Sequence, residues 1–141
     1  MKFSIYTLGC KLNQAESENL KTELENFGFS NCQWGKEKIA IIRACGVTCG
    51  ASATTREMIR QAKKRGSYVV ALGCLENRKM PEINYIAVDN YEVIQHLSEK
   101  FGDYLFAKKI KICPASLSKE KNRTRALVKI QTGCNFQCTY C

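Results

Sequence analysis

The chain has 141 residues, of which 45% are hydrophobic and 25% are charged, and this is the size and composition of one folded domain. No run approaches the ~20 apolar residues of a membrane span, and the first residues read as a strand rather than a signal peptide, so we expect a cytoplasmic protein without a membrane anchor. The formal net charge of +9 is compatible with a polyanionic partner.

Short apolar runs bounded by polar residues and glycine predict the strands. Three of them lie at residues 3–8, 38–42 and 68–72, and a weaker one lies at residues 85–88. The second run is continuous and aliphatic, as expected for a strand that is covered on both faces.

Three segments between and after these strands are predicted as helices, at residues 13–27, 53–64 and 91–101. The first and the last of them carry apolar side chains three or four residues apart, which makes one apolar face. Strands that alternate with helices predict an α/β fold with an open, mainly parallel sheet and flanking helices, because each right-handed crossover returns the chain to the same edge.

A basic stretch follows this predicted domain, which we place at residues 1–103. Eight Lys or Arg side chains and the single acid Glu120 lie between residues 108 and 129. The stretch is either a solvated connector over residues 104–125 or a surface for a polyanion such as RNA. A further predicted strand would begin a second domain at residues 126–141.

Nine cysteines are present in the chain. Disulfide frameworks belong to short, loop-rich secreted domains, whereas this sequence has helical periodicity, two prolines and an odd number of cysteines. Metal ligation is therefore favoured over disulfide bonding.

Three cysteines follow the first three predicted strands. Cys10 and Cys74 come two residues after a strand and Cys45 comes three residues after one. Because the carboxyl ends of parallel strands share one edge of the sheet, these thiols are expected to meet in one crevice, with a fourth coordination position left open. The alternative is that each cysteine is a small buried hydrophobic residue.

The remaining single cysteines and the only histidine carry less weight. Cys32 and Cys113 are interpreted as unligated side chains. Cys49, four residues after Cys45, could replace it, pair with it or take no part. His96 on the last predicted helix is interpreted as an ordinary surface or half-buried residue.

The last eight residues repeat the pattern of three thiols at closer spacing. Cys134, Cys138 and Cys141 are one ligand short of a closed tetrahedral site, which indicates a metal centre with one open position. This C-x-x-x-C-x-x-C motif resembles the signature of the radical S-adenosylmethionine (SAM) enzymes. Together with TLGCKLN at residues 7–13 and LGC at residues 72–74, it resembles the methylthiotransferase family of those enzymes.

The resemblance implies which residues hold which cofactor. An auxiliary 4Fe–4S cluster would be held by Cys10, Cys45 and Cys74. A second 4Fe–4S cluster, which binds SAM, would be held by Cys134, Cys138 and Cys141. Tyr140 would lie near the adenine of SAM. Since the family's barrel continues well beyond such a motif, we expect this chain to be the front part of a longer enzyme and to be inactive alone.

The resemblance also implies the reaction, which is radical insertion of a methylthio group into an unactivated C–H bond. The opening motif, followed by ESE at residues 16–18, is most similar to the branch that modifies carbon 2 of N6-threonylcarbamoyladenosine beside the tRNA anticodon. Other branches modify isopentenyladenosine in tRNA or a ribosomal protein. The implied partners are tRNA, for which basic side chains on the helix at 53–64 are suited, and an electron donor such as flavodoxin or ferredoxin.

Two adjacent positions depart from the family pattern, because Arg43 and Ala44 stand where Asn and Thr are common before the second cysteine. A charge there would alter the surroundings of a cluster at Cys45. Two alternatives from other classes stay open: a non-catalytic iron–sulfur or zinc domain, and an RNA-binding module. Zinc is disfavoured because structural zinc sites usually have four Cys or His ligands.

Overall fold

The computed structural model describes residues 1–46, 48–75 and 80–101. The predicted connector at 104–125 and the predicted second domain at 126–141 lie outside the described residues. The described part forms five strands and three helices: β1 (Lys2–Thr7), α1 (Lys11–Asn26), β2 (Ser30–Asn31), β3 (Ile39–Ala44), α2 (Cys49–Lys64), β4 (Tyr68–Gly73), β5 (Tyr85–Ala87) and α3 (Asn90–Phe101).

All five strands run parallel in one sheet, in the order β2-β1-β3-β4-β5. The open parallel sheet predicted from the sequence is thus confirmed. From β1 the chain crosses to β2 on one side, whereas from β3 it crosses to β4 on the other side. These two crossovers diverge at the carboxyl ends of β1 and β3, which is the topological position where doubly wound sheets bind their ligands.

Helices cover both faces of the sheet. α1 and α3 pack on one face, where Leu24 and Leu97 belong to the same buried cluster as Ile41. α2 packs on the other face, where Ile59 joins Ile42 in a second cluster. Residues 39–42 of β3 alternate between the two clusters and all six residues of the strand are buried, which explains the uninterrupted aliphatic run.

The element boundaries differ from the predicted ones where a local contact extends an element. α2 begins at Cys49 rather than residue 53, because the Thr48 hydroxyl caps it by accepting the N–H of Ala51 at 3.2 Å. β3 continues to Ala44, two residues beyond the prediction, so the next cysteine follows it directly. None of the described helices is long and apolar enough to cross a membrane.

Candidate metal centre

Three cysteines follow parallel strands at the same edge of the sheet. Cys45 comes directly after β3, Cys74 comes directly after β4, and Cys10 comes three residues after β1. β3 and β4 pair up to Ala44 and Gly73, so Cys45 and Cys74 are the next residues on neighbouring strands. The N–H of Cys74 donates to the carbonyl of Ala44 at 3.3 Å, which joins the two loops.

The loop after β1 passes directly against the Cys45 side chain. Gly9 has a φ of +93°, and a Cβ added to it would lie 2.7 Å from the Cys45 sulfur. That distance is far below van der Waals contact, so only glycine fits both the backbone conformation and the space. Gly9 therefore brings the segment that carries Cys10 next to Cys45.

The Asn13 side chain fastens the same loops from within the domain. Its Nδ2 donates to the carbonyl of Leu8 at 2.7 Å and to that of Ala44 at 3.2 Å. Asn13 is buried, and it sits in the first turn of α1, three residues after Cys10. One amide thus joins the end of β1, the end of β3 and the start of α1.

The three thiols differ in exposure. Cys45 is 8% exposed, whereas Cys10 and Cys74 are exposed. Cys45 and Cys74 line one small pocket, which has room for about one water molecule. The pocket is completed by the side chains of Ser52, Thr55, Arg56, Leu75 and Met80.

The donor set suits an iron–sulfur cluster, since cluster iron is bound by cysteine thiolates. Gly9 leaves the space beside the Cys45 sulfur free of a side chain, and Cys10 and Cys74 can present their sulfurs to that edge from exposed positions. Within residues 1–46, 48–75 and 80–101, no group of three or more Cys, His, Asp or Glu side chains is arranged to hold a metal ion. The described structure thus places the three thiols at one edge of the sheet but does not arrange them as a metal site. Their role as ligands stays a prediction.

The other cysteines occupy different surroundings. Cys49 is the exposed first residue of α2 and does not line the pocket shared by Cys45 and Cys74. Cys32 lies half-buried beyond β2 in a separate groove beside Trp34. Burial raises the pKa of the Cys32 thiol, and the charge of Glu37 raises it further. Cys113, Cys134, Cys138, Cys141 and Tyr140 lie outside the described residues.

His96 lies at the opposite edge, near the amino ends of β4 and β5. Its ring stacks on Tyr85 with centroids 3.6 Å apart, and its Nε2 lies 2.8 Å from the Tyr68 hydroxyl. Burial lowers the pKa of His96, and the charge of Lys100 lowers it further. It is a half-buried residue with aromatic neighbours, far along the strands from the cysteine edge.

The role of Arg43 is not apparent from the sequence, in which this residue stands out only as a departure from the family pattern. Arg43 is 3% exposed, and its guanidinium donates to the Glu16 carboxylate at 2.6 Å and the Ser17 hydroxyl at 3.1 Å. It also donates to Asn90 at the start of α3. Burial lowers the pKa of Arg43, and Glu16 offsets part of that effect. In the sequence, only the presence of hydrogen-bond acceptors at residues 16 and 17 could have indicated a buried partner for Arg43.

Comparison with protein families gives a match over most of the described domain. A family model described as "Uncharacterized protein family UPF0004" matches residues 2–94. This range contains β1 to β5 and the first residues of α3, and so it includes all three cysteines at the sheet edge.

Curated relatives match over the whole chain. The threonylcarbamoyladenosine tRNA methylthiotransferase MtaB of Aquifex aeolicus is 28% identical over 100% of this chain and 39% of its own length. MtaB of Rickettsia prowazekii is 26% identical over 100% of this chain and 35% of its own length. The ribosomal protein uS12 methylthiotransferase RimO of Carboxydothermus hydrogenoformans is 30% identical over 100% of this chain and 36% of its own length. The chain therefore spans little more than a third of the length of these relatives.

Proposed function

The chain belongs to the UPF0004 family, and we propose that it is the front part of a radical SAM methylthiotransferase that modifies tRNA. Its homologues are methylthiotransferases that are named for a tRNA nucleoside or for a ribosomal protein. In this proposal residues 1–103 form the domain that holds an auxiliary cluster, residues 104–125 form a basic connector, and residues 126–141 begin the SAM-binding domain.

One observation carries the proposal: cysteines follow three neighbouring parallel strands at the carboxyl edge of the sheet, where the crossovers diverge. β1, β3 and β4 are adjacent in the sheet, and each is followed by a thiol within three residues. Three thiolates at the carboxyl edge form a ligand set with one position left over.

Cys10, Cys45 and Cys74 would hold the auxiliary 4Fe–4S cluster. When bound, the cluster supplies an iron with an open coordination position for sulfur. The protein's own contribution is to hold the ligands in place. Asn13 ties the two loops together, and α1, which starts at the residue after Cys10, favours negative charge at its amino end.

Cys134, Cys138 and Cys141 would hold a second 4Fe–4S cluster that binds SAM, with Tyr140 beside the adenine. The assignment of these residues rests only on the resemblance of their C-x-x-x-C-x-x-C motif to that of the radical SAM enzymes. The reaction would need an electron donor, such as flavodoxin or ferredoxin, because cleavage of SAM to a radical consumes one electron.

Anaerobic reconstitution with iron and sulfide tests the auxiliary site. The chain should become brown, and Cys45→Ala should lose one of two clusters by iron and sulfide analysis. Cys49→Ala is the matched control, since Cys49 lies on the same segment, is exposed and stays outside the pocket; it should keep both clusters. A colourless protein would favour zinc or no metal, and loss in Cys49→Ala would reverse the ligand assignment.

The substrate we propose is N6-threonylcarbamoyladenosine beside the anticodon, modified at carbon 2. The motif at residues 7–18 and the names of the MtaB relatives support it. Methylthiolation of a ribosomal protein is the second candidate, because a RimO relative is 30% identical over the whole chain. Isopentenyladenosine is the further alternative within tRNA.

The substrate test uses a longer protein that contains this chain, expressed in a strain without its own enzyme. Mass spectrometry of digested tRNA should find a methylthio group on threonylcarbamoyladenosine. The same group on isopentenyladenosine, or on ribosomal protein uS12 in a parallel peptide digest, would contradict the proposed substrate and leave the proposed chemistry standing.

The basic face of α2 is a weaker support for a tRNA partner than the sequence suggests. Arg65 pairs with Glu37 at 2.8 Å, and Arg60 lies 3.7 Å from Glu82. Lys63 and Lys64 at the end of the helix are both exposed, and Lys63 donates to the Asn84 side chain at 3.3 Å. Binding of tRNA should still weaken steeply with salt if phosphates are contacted, and an affinity that does not change with salt would contradict this partner.

A further inference from the structure

The pocket between Cys45 and Cys74 contains a buried hydroxyl with no hydrogen-bond partner in the described part of the chain. Ser52 lies in the first turn of α2 and is 5% exposed. Its Oγ is buried and makes no hydrogen bond to a described residue, Cys45 included. A buried hydroxyl without a partner is costly, so a group that binds in this pocket and accepts a hydrogen bond would be stabilised there.

The neighbouring hydroxyl is already engaged by the helix. The Thr55 hydroxyl, the other hydroxyl of the lining, donates to the carbonyl of Ala51 at 2.9 Å. Leu75 and Met80 supply an apolar wall. Ser52 is therefore the hydroxyl of this lining that has a hydrogen to give.

Cys45 is the better acceptor of the two pocket thiols. It is buried like Ser52, whereas Cys74 is exposed and can accept hydrogen bonds from water. Sulfur that binds iron carries negative charge and accepts hydrogen bonds, and such bonds raise the reduction potential of a cluster by offsetting the charge that reduction adds.

We propose that the Ser52 side chain turns to donate a hydrogen bond to the Cys45 thiolate when this thiolate binds iron, and that it thereby raises the reduction potential of the auxiliary cluster. The inference rests on the proposed function, because it requires a cluster at Cys45. Ser52 is in this view a tuning residue that acts through the ligand.

The test isolates the auxiliary cluster in a background that removes the second one. The chain with Cys134→Ala, Cys138→Ala and Cys141→Ala is reconstituted with iron and sulfide, and its midpoint potential is measured by anaerobic redox titration followed by electron paramagnetic resonance. Adding Ser52→Ala should make the potential more negative at unchanged iron content.

Two further comparisons guard against a general loss of structure. The side chains of Ser52→Thr and Ser52→Val have the same shape and differ in the hydroxyl, which valine lacks. The midpoint potential of the valine variant should therefore be more negative than that of the threonine variant. Ser4→Ala is the matched control: Ser4 is 2% exposed and its Oγ is also unpartnered, but it lies on β1 and lines a different groove. Its potential should equal that of the background.

The outcomes separate the two proposals. Equal potentials in the Ser52 variants and the background would overturn the role of Ser52 and leave the cluster proposal intact. A shift in Ser4→Ala as large as that in Ser52→Ala would also overturn it. A background chain that takes up no cluster would overturn both.

Discussion

Asn13 Nδ2 donates to the carbonyl of Ala44 at 3.2 Å, across thirty-one residues of sequence. The same carbonyl accepts the N–H of Cys74, so one oxygen atom lies at the junction of the loops after β3 and β4 and the start of α1. The position of the candidate ligands therefore depends on a few polar contacts at the end of β3.

We expect Asn13→Ala to destabilise the domain by about 1–3 kcal/mol, because the carbonyls of Leu8 and Ala44 lose a donor in a buried place. Asn13→Asp should cost more, because it directs a negative charge at two carbonyl oxygens. Urea unfolding measures both. Asn26→Ala, at the exposed end of the same helix, is the control and should change stability by less than about 0.5 kcal/mol. Equal effects at Asn13 and Asn26 would contradict this role.

Gly9→Ala should destabilise the domain more than Gly35→Ala does. Both glycines have a positive φ, +93° and +97°, so alanine strains the backbone similarly, by about 1–2 kcal/mol. Only at Gly9 does the new Cβ clash with Cys45, which adds about 1–3 kcal/mol of overpacking; at Gly35 nothing lies within 4 Å. Thermal unfolding of the two variants measures the loss of stability in each. Equal losses would contradict the clash, because they would show that the loop after β1 moves away from Cys45 without cost.

Much of the fold follows from local sequence pattern. The continuous run from Ile39 to Ile42 predicts a strand covered on both faces, and the structure places helices there. β2 escaped prediction because Ser30 and Asn31 are polar and exposed, and only backbone pairing with β1 makes them a strand.

The candidate site was predictable only in part. Cysteines after strands indicate a shared edge, since parallel strands end together. The contacts that hold this edge join residues far apart in the chain, such as Asn13 with Ala44 and Arg43 with Asn90. No periodicity or spacing in the sequence encodes such pairs.

Arg43→Ala should destabilise the domain by about 3–5 kcal/mol, because it removes a buried guanidinium that bonds to Glu16, Ser17 and Asn90 and leaves a cavity between the sheet, α1 and α3. Arg60→Ala is the matched control on the surface. Arg60 is about half exposed and 3.7 Å from Glu82, and its loss should cost less than about 1 kcal/mol. Urea unfolding of both variants checks this, and a mild effect at Arg43 would mean that water replaces its contacts.

His96 should make the stability of the domain depend on pH near neutrality. Burial and the charge of Lys100 lower the pKa of His96 in the folded state, while in the unfolded chain it is about 6.5. The unfolded state therefore binds the proton more readily, so the His96 contribution is fully present above pH ~6.5 and is lost as the pH falls through the folded-state pKa.

Because His96 is the one histidine of the chain, His96→Gln should flatten the curve of unfolding free energy against pH between about 5 and 7. Lys100→Gln should make this loss of stability smaller, since removing a cation that opposes protonation brings the folded-state pKa of His96 closer to its unfolded value. Urea titrations at stepped pH measure all three proteins, and a wild-type curve that is level over this range would contradict the assignment.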